Sequence, residues 1–242
     1  YKILEKTQFS EKVFKFRIEA PEMARHAHAG QFLMVRANER GERVPFTFAD
    51  WNPEEGWVEF IFMVIGKTTT MLSTYEAGDS LQDVTGPLGQ PTEMGDGSWA
   101  VIGGGVGLAI AFPVARQLVA SGHEVHAIMG ARTKDLLLLE EQFRSILPDD
   151  HIHITTDDGS YGEKGVVTAP LERLLEAKAV DRVFCVGPVP MMKFSTLTAE
   201  KYGTPITASL NPIMVDGTGM CGCCRVEVDG QTKFACVDGP DF

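Results

Sequence analysis

Residues 98–122 read "SWAVIGGGVGLAIAFPVARQLVASG", and this stretch decides which fold the sequence predicts. Its first part is a short apolar run ending in three consecutive glycines, a pattern typical of a buried strand that enters a tight turn. Its second part is a mostly apolar helical stretch that ends at Gly122. A strand, a glycine turn and a helix in this order predict one unit of a parallel α/β sheet.

The same rhythm continues toward the C-terminus, where apolar strand-like runs alternate with helical stretches. The strand-like runs read "EVHAIMGA", "HIHITTDDG" and "RVFCVGP". The helical stretches read "LLLLEEQFRSIL", "APLERLLEAK" and "PMMKFSTLTAEKYG". Alternation over this length favours a doubly wound parallel sheet, and we assign residues 97–209 to this α/β domain.

Residues 1–96 carry β signals and little helix. Their strand-like runs read "KVFKFRIEA", "QFLMVRA", "RVPFTFAD" and "WVEFIFMVI". Short strands at this spacing predict a small antiparallel β barrel, with one short helix expected in "TTTMLSTYEAG". The remaining residues, 210–242, form a cysteine-rich segment, in which "RVEVDGQTKFACV" predicts a hairpin that turns at Asp229-Gly230.

Composition excludes several classes of function. The chain has 242 residues, and 33 acidic against 22 basic side chains give a net charge of −11. Such acidity argues against non-specific nucleic-acid binding, which needs clustered positive charge. No apolar run approaches the roughly 18 residues that a membrane span requires, and the first residues do not resemble a signal peptide. We therefore expect a cytoplasmic globular protein without nucleic-acid or membrane partners.

Four of the five cysteines lie within sixteen residues near the C-terminus. Clustered cysteines of this kind favour a metal site over a disulfide scaffold. Plant-type [2Fe–2S] ferredoxins use the spacing C-x4-C-x2-C…C. Cys221, Cys224 and Cys236 fit that spacing, but Asp216 stands in place of the first cysteine. From spacing alone, Asp216 is either a ligand or a sign that the cluster interpretation fails. The alternative is a zinc site made by Cys221, Cys223 or Cys224, and Cys236.

The glycine turn has a functional and a purely structural interpretation. A strand that ends in glycines and opens a helix directs backbone N–H groups and the positive helix end to one point, which suits a pyrophosphate. The strict G-x-G-x-x-G fingerprint is incomplete, because Leu108 occupies the place of the third glycine. A plain tight turn is the alternative. Likewise, Gly66-Lys67-Thr68-Thr69 suits an anion or is an ordinary capped turn.

Cys185 and the paired histidines have ordinary interpretations from their local sequence. Cys185 lies in an apolar run and is expected to be a small buried hydrophobic residue. His26 and His28, like His151 and His153, alternate at strand spacing with neither a thiol nor a third histidine nearby. We expect both histidine pairs to occupy common surface or strand positions.

The order of these motifs carries a family resemblance. "RVPFT" and "GKTT", then "GGGVG", then "VGPVPMM" and a cysteine tail follow the order found in the ferredoxin–NADP reductase superfamily, and the chain resembles it over nearly its whole length. It is similar to the electron-transfer subunits of dihydroorotate dehydrogenase and, more closely, to the small subunits of NADH-dependent reduced ferredoxin:NADP oxidoreductase. The resemblance implies an FAD-binding barrel, an NAD-binding α/β domain and a C-terminal [2Fe–2S] segment. It also implies a heterodimer with a larger flavin- and iron–sulfur-containing subunit, with ferredoxin served indirectly.

The resemblance further implies which residues hold each cofactor. It places FAD at Pro45, Phe46, Thr47, Phe62, Met63, Lys67, Thr68 and Thr69. It places NAD(H), rather than NADP(H), at Gly103, Gly104, Gly105, Val106, Gly107, Arg132, Asp157, Asp158, Cys185, Gly187 and Pro188. It makes Asp216, Cys221, Cys224 and Cys236 the cluster ligands and leaves Cys223 outside the set.

The expected function is electron transfer between NAD(H), FAD and the [2Fe–2S] cluster in a complex of the electron-bifurcating type. No catalytic acid–base pair is expected, because hydride transfer needs none. The chain could instead serve dihydroorotate dehydrogenase or a soluble hydrogenase, although Asp216 argues against the former, whose electron-transfer subunits have four cysteines. A non-catalytic zinc-binding interaction module is the alternative of another class, and a visible spectrum without flavin or iron–sulfur absorption would reveal it.

Overall fold

The chain divides into two compact units in the computed structural model, which describes residues 1–242. The barrel unit contains residues 1–92 and 210–242, and the parallel-sheet unit contains residues 93–209. The cysteine-rich segment therefore folds together with the barrel, although the whole parallel-sheet unit separates the two along the chain.

Six antiparallel strands form the barrel, in the order β1-β2-β5-β4-β3-β6. They are β1 (Ile3–Ser10), β2 (Val13–Glu19), β3 (Phe32–Arg36), β4 (Arg43–Asn52), β5 (Trp57–Met63) and β6 (Asp83–Leu88). The backbone N–H of Ile3 donates to the carbonyl of Asp79, and that of Leu81 donates to the carbonyl of Tyr1, each at 2.8 Å. These bonds join the first strand to the segment before the last one and close the sheet. The predicted antiparallel barrel is confirmed.

Aromatic side chains fill the barrel. Phe16, Phe48 and Phe60 are fully buried, and the ring of Phe46 stacks on Phe60 with centroids 4.9 Å apart. Burial of one such side chain stabilises the fold by about 1.5–3 kcal/mol. The phenylalanines in "RVPFTF" and "WVEFIFM" predict strands from the sequence. The same residues stabilise the packing of those strands in the barrel.

Strand β3 has one face toward this core and one face away from it. Leu33 and Val35 belong to the barrel core, whereas Phe32 and Met34 pack in a separate cluster on the outer side. This division follows from the alternation of side chains along a strand. Because both faces are apolar, the outer face of β3 must be covered by another part of the unit.

Two barrel strands and one helix were not predicted. β1 buries only Ile3 completely, and its polar residues Glu5, Lys6, Thr7 and Gln8 occupy both faces, so no apolar alternation marks it. β6 contains Gly86 and Pro87, residues that normally argue against a strand. Helix α1 (Pro21–His26) is a single short piece of six residues. These elements depend on their neighbours in the barrel more than on their own sequence.

Helix α2 (Lys67–Leu72) lies earlier in the chain than the predicted helix. Its N-cap is Gly66, and its C-cap is Ser73. The threonine run, expected to supply the cap from the first position, instead forms the first turns. The hydroxyl of Thr69 reaches back and accepts hydrogen bonds from the N–H groups of Ile65 and Gly66, each at 3.0 Å.

The parallel-sheet unit has six strands in the order β10-β9-β8-β7-β11-β12, and all pairings are parallel. The strands are β7 (Trp99–Gly104), β8 (Val125–Ala131), β9 (Ile152–Thr156), β10 (Glu163–Lys164), β11 (Arg182–Val186) and β12 (Ile206–Ala208). The helices are α3 (Leu108–Ala120), α4 (Glu140–Ile146), α5 (Thr168–Glu176) and α6 (Val189–Lys201). The predicted doubly wound sheet is confirmed. No helix of the protein combines the length and the apolar character that a membrane crossing requires.

Helix α4 begins later than "LLLLEEQFRSIL" predicted. Leu139 adopts φ 59°, in the left-handed region, and the helix starts only after it. The preceding Lys134–Leu136 form a 3-10 turn, and Leu138 is buried without being helical. Leucine has a high helix propensity, but burial of Leu138 against the unit overrides that preference.

The C-terminal hairpin forms as predicted. Its strands are β13 (Arg225–Val228) and β14 (Gln231–Phe234). Asp229 and Gly230 adopt φ 50° and 71°, and a type I′ turn requires positive φ at both central positions. The hairpin returns the chain so that Cys224, just before β13, lies beside Cys236, just after β14.

Candidate cofactor sites

The glycine turn between β7 and α3 packs directly on the turn between β11 and α6. A Cβ on Gly107 would lie 2.6 Å from the carbonyl oxygen of Val186. A Cβ on Gly104 would lie 2.4 Å from Met191 Sδ and 3.1 Å from Pro188 Cδ. Side chains do not fit at such distances, so only glycine allows this approach of one backbone to another.

The two turns meet where the strand order reverses. β8, β9 and β10 follow on one side of β7, whereas β11 and β12 lie on the other side. Doubly wound sheets bind ligands in the crevice at such a switch point, beyond the carboxyl ends of the strands. Gly103 pairs with Val186, and Gly105, Val106 and Gly107 form a 3-10 turn that leads into α3. The structure therefore brings the glycine turn beside Gly187-Pro188 at this crevice.

Arg132, Asp157 and Asp158 lie at the same edge of the sheet, after the next two strands. Arg132 follows β8, and the two aspartates follow β9. The N–H of Asp157 donates to the carbonyl of Ala131 at 3.1 Å, and that of Asp158 to the carbonyl of Arg132 at 3.3 Å. All three side chains are exposed. Hydrogen bonds from Ser160 lower the pKa of Asp158, and Ser160 also accepts a bond from the N–H of Lys134 at 2.9 Å. This edge therefore presents an ionised carboxylate together with two basic residues, Arg132 and Lys134.

The side chain of Cys185 does not reach this edge of the sheet. It is fully buried within β11, and burial raises the pKa of its thiol to about 11. The thiol is therefore protonated near neutral pH and acts as a small apolar group, in line with its ordinary interpretation. Only its backbone could take part in binding a ligand, and its carbonyl already accepts a hydrogen bond from Ser209 at 3.0 Å.

The start of α2 presents donors to solvent in the barrel unit. The first N–H groups of a helix have no partner within the helix. Thr69 holds the entry to the helix in place through its bonds to residues 65 and 66. Lys67 is exposed and Thr68 is buried. Free N–H groups together with an ammonium group make this turn suitable for a phosphate.

The residues assigned to the flavin divide between the two faces of β4. Pro45 and Thr47 are half-buried, and their partners in the antiparallel register are Met34 and Phe32. Directly opposed residues share a face of the sheet, so Pro45 and Thr47 lie on the outer face. Phe46 lies between them and its ring packs into the barrel core.

Phe62 and Met63, at the end of β5, also differ in burial, as Phe46 differs from Pro45 and Thr47. Phe62 is 2% exposed, and its ring makes an edge contact with Phe16 at 5.1 Å between centroids. Met63 is 39% exposed. Of the aromatic residues in the assigned flavin set, Phe46 and Phe62 therefore offer a ligand their backbone and not their rings.

Asp216 organises the loop that carries Cys221. Its Oδ2 accepts a hydrogen bond from the N–H of Cys221 at 2.7 Å. Its Oδ1 accepts bonds from the N–H and the hydroxyl of Thr218, at 2.5 and 2.6 Å. The bonds from Cys221 and Thr218 hold the pKa of Asp216 well below its usual range. The carboxylate is thus ionised and in contact with the Cys221 side chain.

Cys224 and Cys236 form a second, buried pair. Their Sγ atoms are 3.2 Å apart, and the N–H of Cys236 points at Cys224 Sγ at 3.4 Å. Burial and the contact with Cys224 raise the pKa of Cys236. Two thiols held this close and away from water become thiolates when a metal cation lies between them.

These four residues fit a [2Fe–2S] cluster. Each of its two irons takes two protein ligands, and the structure supplies two adjacent pairs, Asp216 with Cys221 and Cys224 with Cys236. All four donors are anionic in the bound state, and a carboxylate differs from a thiolate mainly in being a harder ligand. Cys223 is exposed, and its contact with Cys221 raises its pKa. The donor set therefore matches the group without Cys223.

The cysteine-rich segment covers the outer face of β3. Its buried residues pack on Phe32 and Met34, and they are Met214, Cys224, Ala235 and Cys236. The loop approaches closely because Gly217 has φ 79° and a Cβ there would lie 2.7 Å from Met34 Cγ. Pro45 and Thr47 are the register partners of these two β3 residues. The assigned cluster ligands and the outward flavin residues consequently lie on one face of the barrel.

The expectation that His151 and His153 have no third histidine nearby is wrong in the folded chain. The ring of His126, on β8, stacks on His151 with centroids 4.0 Å apart. Its Nδ1 is 3.3 Å from His153 Nε2. Burial lowers the pKa of both His126 and His153, and the charges of neighbouring histidines add to that effect. The available signal was that "EVHAIMGA" and "HIHITTDDG" are consecutive predicted strands, each with histidine near its start.

Three family models match successive parts of the chain. An oxidoreductase FAD-binding domain matches residues 1–92, and an oxidoreductase NAD-binding domain matches residues 101–196. The iron–sulfur cluster binding domain of dihydroorotate dehydrogenase B matches residues 211–242. The predicted cofactors FAD, NAD(H) and an iron–sulfur cluster are therefore confirmed.

Similar proteins extend over nearly the whole chain. The dihydroorotate dehydrogenase B (NAD(+)), electron transfer subunit homolog of Thermotoga maritima is 48% identical over 241 residues, which cover 99% of this chain and 84% of the relative. The corresponding electron transfer subunit of Streptococcus mutans is 32% identical over 250 residues, covering 99% and 94%.

Solved structures of similar proteins have the same fold as this chain. A chain from the structure of the NADH-dependent reduced ferredoxin-NADP oxidoreductase is 48% identical with a TM-score of 0.91, covering 100% of this chain and 87% of that chain. The cytochrome b5 reductase domain of Ulva prolifera nitrate reductase shares the fold at 21% identity, with a TM-score of 0.64 and coverage of 85% and 94%. The FAD, NAD and cluster domains occur in the predicted order, and relatives match from end to end. The chain belongs to the family of dihydroorotate dehydrogenase B-type electron-transfer subunits, oxidoreductases that bind FAD, a nicotinamide nucleotide and an iron–sulfur cluster.

Proposed function

We propose that the chain is the NADH-oxidising subunit of an electron-bifurcating ferredoxin:NADP oxidoreductase. The observation that carries this proposal is the shared outer face of β3 and β4. Pro45 and Thr47, proposed to line the flavin, are register partners of Met34 and Phe32, which the cysteine-rich segment covers. A short path between a two-electron acceptor and a one-electron carrier is what this function needs.

The residues of the chain bind and position the groups that carry electrons. Bound FAD would supply the chemistry that links a two-electron hydride donor to a one-electron carrier. The turn at Lys67–Thr69 holds the FAD pyrophosphate, and the outer side of β4 supports the flavin ring. The glycine turn and Gly187-Pro188 hold the nicotinamide nucleotide. Asp216, Cys221, Cys224 and Cys236 hold the [2Fe–2S] cluster against β3.

The charges beyond β8 and β9 favour NADH over NADPH. In doubly wound nucleotide domains, a carboxylate binds the free ribose hydroxyls of NAD, whereas an arginine accepts the 2′-phosphate of NADP. Asp157 and Asp158 stand next to Arg132 at this edge, and two carboxylates repel a phosphate. The flavin should therefore be reduced faster by NADH than by NADPH, as stopped-flow kinetics with each nucleotide will show. A strong preference for NADPH would make Arg132 and Lys134 phosphate ligands instead.

Anaerobic titration of the purified complex with NADH tests the function as a whole. The flavin absorption should bleach, and the electron paramagnetic resonance signal of a reduced [2Fe–2S] cluster should follow. Bleaching of the flavin without any signal from a reduced cluster would contradict the proposed electron path.

The proposed phosphate turn gives a specific prediction for FAD retention. Thr69→Ala removes the hydroxyl that accepts from the N–H groups of Ile65 and Gly66, and loss of such a cap costs about 1 kcal/mol. The variant should retain less FAD per chain after gel filtration. Thr70→Ala is the matched control, because Thr70 is exposed on the same helix. Equal FAD content in both variants would argue against this placement of the pyrophosphate.

Exposed apolar residues surround the proposed cluster ligands. Ile213, Val215 and Met220 are 79%, 52% and 90% exposed, and all lie within five positions of Asp216 or Cys221. Apolar surface concentrated at one place marks a protein interface. We assign this surface to the larger subunit of the complex, for which a cluster held by these ligands would be the electron donor.

Charge introduced at this surface should weaken the complex. Met220→Glu should lower the amount of larger subunit that copurifies with the chain, because binding would desolvate a carboxylate without a partner. Leu4→Glu, at a residue 41% exposed on β1, is the control in the same unit. Size-exclusion chromatography of the co-expressed proteins measures the result. Unchanged association of the Met220 variant would place the interface elsewhere.

The second candidate is the electron-transfer subunit of dihydroorotate dehydrogenase B. The description of the cluster-domain model and of the Streptococcus mutans relative favours it. Asp216 favours the first candidate, since the second uses four cysteines. The copurifying subunit discriminates between them, because only the second complex converts dihydroorotate to orotate with NAD⁺.

A further inference from the structure

A cluster of imidazoles and one carboxylate lies in the parallel-sheet unit, at the edge opposite the glycine turn. His126 is the second residue of β8, His153 is the second residue of β9, and Glu124 and His151 directly precede these strands. All four lie at the amino ends of parallel strands, whereas the glycine turn lies at a carboxyl end. Neither the cofactor domains nor the proposed function gives this cluster a role.

The geometry points to a site for a divalent transition-metal ion of the zinc class, bound by Glu124, His126 and His151. One ligand atom from each of these residues lies within 4.8 Å of the other two. Glu124 Oε1 is 3.8 Å from His126 Nε2 and 3.8 Å from His151 Nε2. Ligands around a tetrahedral zinc with bonds of about 2.0–2.1 Å are roughly 3.3 Å apart. Closing the set around an ion therefore requires a movement of about half an ångström for each carboxylate–imidazole pair.

The tautomer of His151 is fixed by the fold, and it directs a lone pair at this point. His151 Nδ1 lies 3.0 Å from the carbonyl oxygen of Val125. A carbonyl only accepts, so Nδ1 carries the hydrogen and Nε2 of the neutral ring carries the lone pair. That lone pair faces Glu124 Oε1, which is also an acceptor. A cation between these two acceptors would satisfy both of them.

His126 receives the same kind of support from His153. His126 Nδ1 is 3.3 Å from His153 Nε2, so an N–H on Nδ1 can donate to that nitrogen and leave Nε2 free to bind metal. Metal-binding histidines generally donate their second N–H to a carbonyl or another acceptor, which orients the ring. Both proposed histidine ligands have such an acceptor here. The rings stack with centroids 4.0 Å apart, whereas two imidazoles bound to one tetrahedral ion have centroids about 5 Å apart. Binding an ion therefore requires the two rings to spread by about an ångström so that their lone pairs converge.

The type of donor selects the class of ion. Two imidazole nitrogens and one carboxylate oxygen suit Zn²⁺, Ni²⁺ or Cu²⁺ better than Mg²⁺ or Ca²⁺, which prefer oxygen ligands. Glu124 is exposed, so water completes the coordination. An ion at this position would tie the start of β8 to the segment that begins β9, and it would stabilise the unit without touching the nucleotide edge.

Zinc binding to the holoprotein tests the proposal. The protein is loaded with FAD and its iron–sulfur cluster, so that the cluster cysteines are occupied, and is titrated with zinc in competition with a chromogenic chelator. We expect one zinc per chain and a rise in melting temperature with no change in NADH oxidation. His151→Gln and the exposed-residue variant Glu124→Gln should abolish both effects. His153→Ala should weaken zinc binding by about 10–100-fold, the usual effect of losing a partner behind a ligand.

The control and the spectroscopic readout separate this site from the cysteines. His28→Gln removes a histidine of the barrel unit whose side chain is exposed, and it should bind zinc like the wild type. X-ray absorption at the zinc edge should show only nitrogen and oxygen neighbours near 2.0–2.1 Å, without sulfur at about 2.3 Å. Failure of the holoprotein to capture one zinc, sulfur in the coordination shell, or unchanged binding in the His151 and Glu124 variants would each overturn the proposal.

Discussion

Replacing Asp216 by alanine should produce a protein that retains FAD but lacks nearly all of its [2Fe–2S] absorption. The change removes the proposed first ligand, and it also removes the acceptor for three hydrogen bonds from Cys221 and Thr218. Hydrogen bonds to a charged group contribute about 1.5–3 kcal/mol each, so the loop that positions Cys221 loses its order as well. Iron and flavin analysis, with the visible spectrum, measure the outcome.

Three further variants separate ligation from loop folding. Asp216→Cys restores an anionic iron ligand and should retain a cluster. Asp238→Asn is the matched control, because Asp238 also accepts a backbone hydrogen bond, from Phe234 at 2.7 Å, but is not assigned to the cluster. Cys223→Ser should leave the cluster intact. If the cluster survives Asp216→Ala but is lost in Cys223→Ser, then Cys223 is the ligand and Asp216 is not.

Gly107→Ala should both destabilise the parallel-sheet unit and slow the reduction of the flavin by NADH. The new Cβ would lie 2.6 Å from Val186 O and 2.9 Å from Val186 C. Both are backbone atoms of β11, which cannot rotate aside as a side chain does. Overpacking of this kind costs about 1–3 kcal/mol. Displacing the two turns that hold the nucleotide by about an ångström slows hydride transfer by roughly 100-fold.

A glycine at the other end of the same helix supplies the control. Gly122 has φ 86°, and a Cβ there would meet no atom within 4 Å. Gly122→Ala should therefore cost only the strain of the left-handed conformation, about 1–2 kcal/mol, and leave the NADH reaction unchanged. Thermal unfolding and stopped-flow flavin reduction compare the variants, with dithionite reduction to show that FAD remains bound. Wild-type rates in Gly107→Ala would mean that the glycine turn does not position the nucleotide.

The local sequence was sufficient to predict a structural feature wherever that feature depends on interactions between residues close along the chain. The glycine turn, the strand–helix alternation, and the Asp229-Gly230 hairpin follow from backbone freedom and from side-chain periodicity within a few residues. The spacing from Asp216 to Cys236 likewise gave the cluster motif, because a metal site built on one loop and one hairpin is almost entirely local. The order of the motifs then identified the family.

The tertiary structure decided what depends on segments far apart in the sequence. Packing in the barrel directed the rings of Phe46 and Phe62 into the core, and barrel closure made a strand of β1 despite its polar faces. The apolar outer face of β3 drew the cysteine-rich segment onto the barrel. The parallel register of β8 and β9 placed His126 against His151 and His153. Contacts of this kind are fixed by the order and register of the strands. The residues of one strand indicate which of its faces is apolar, but they do not indicate which distant residue lies opposite each position.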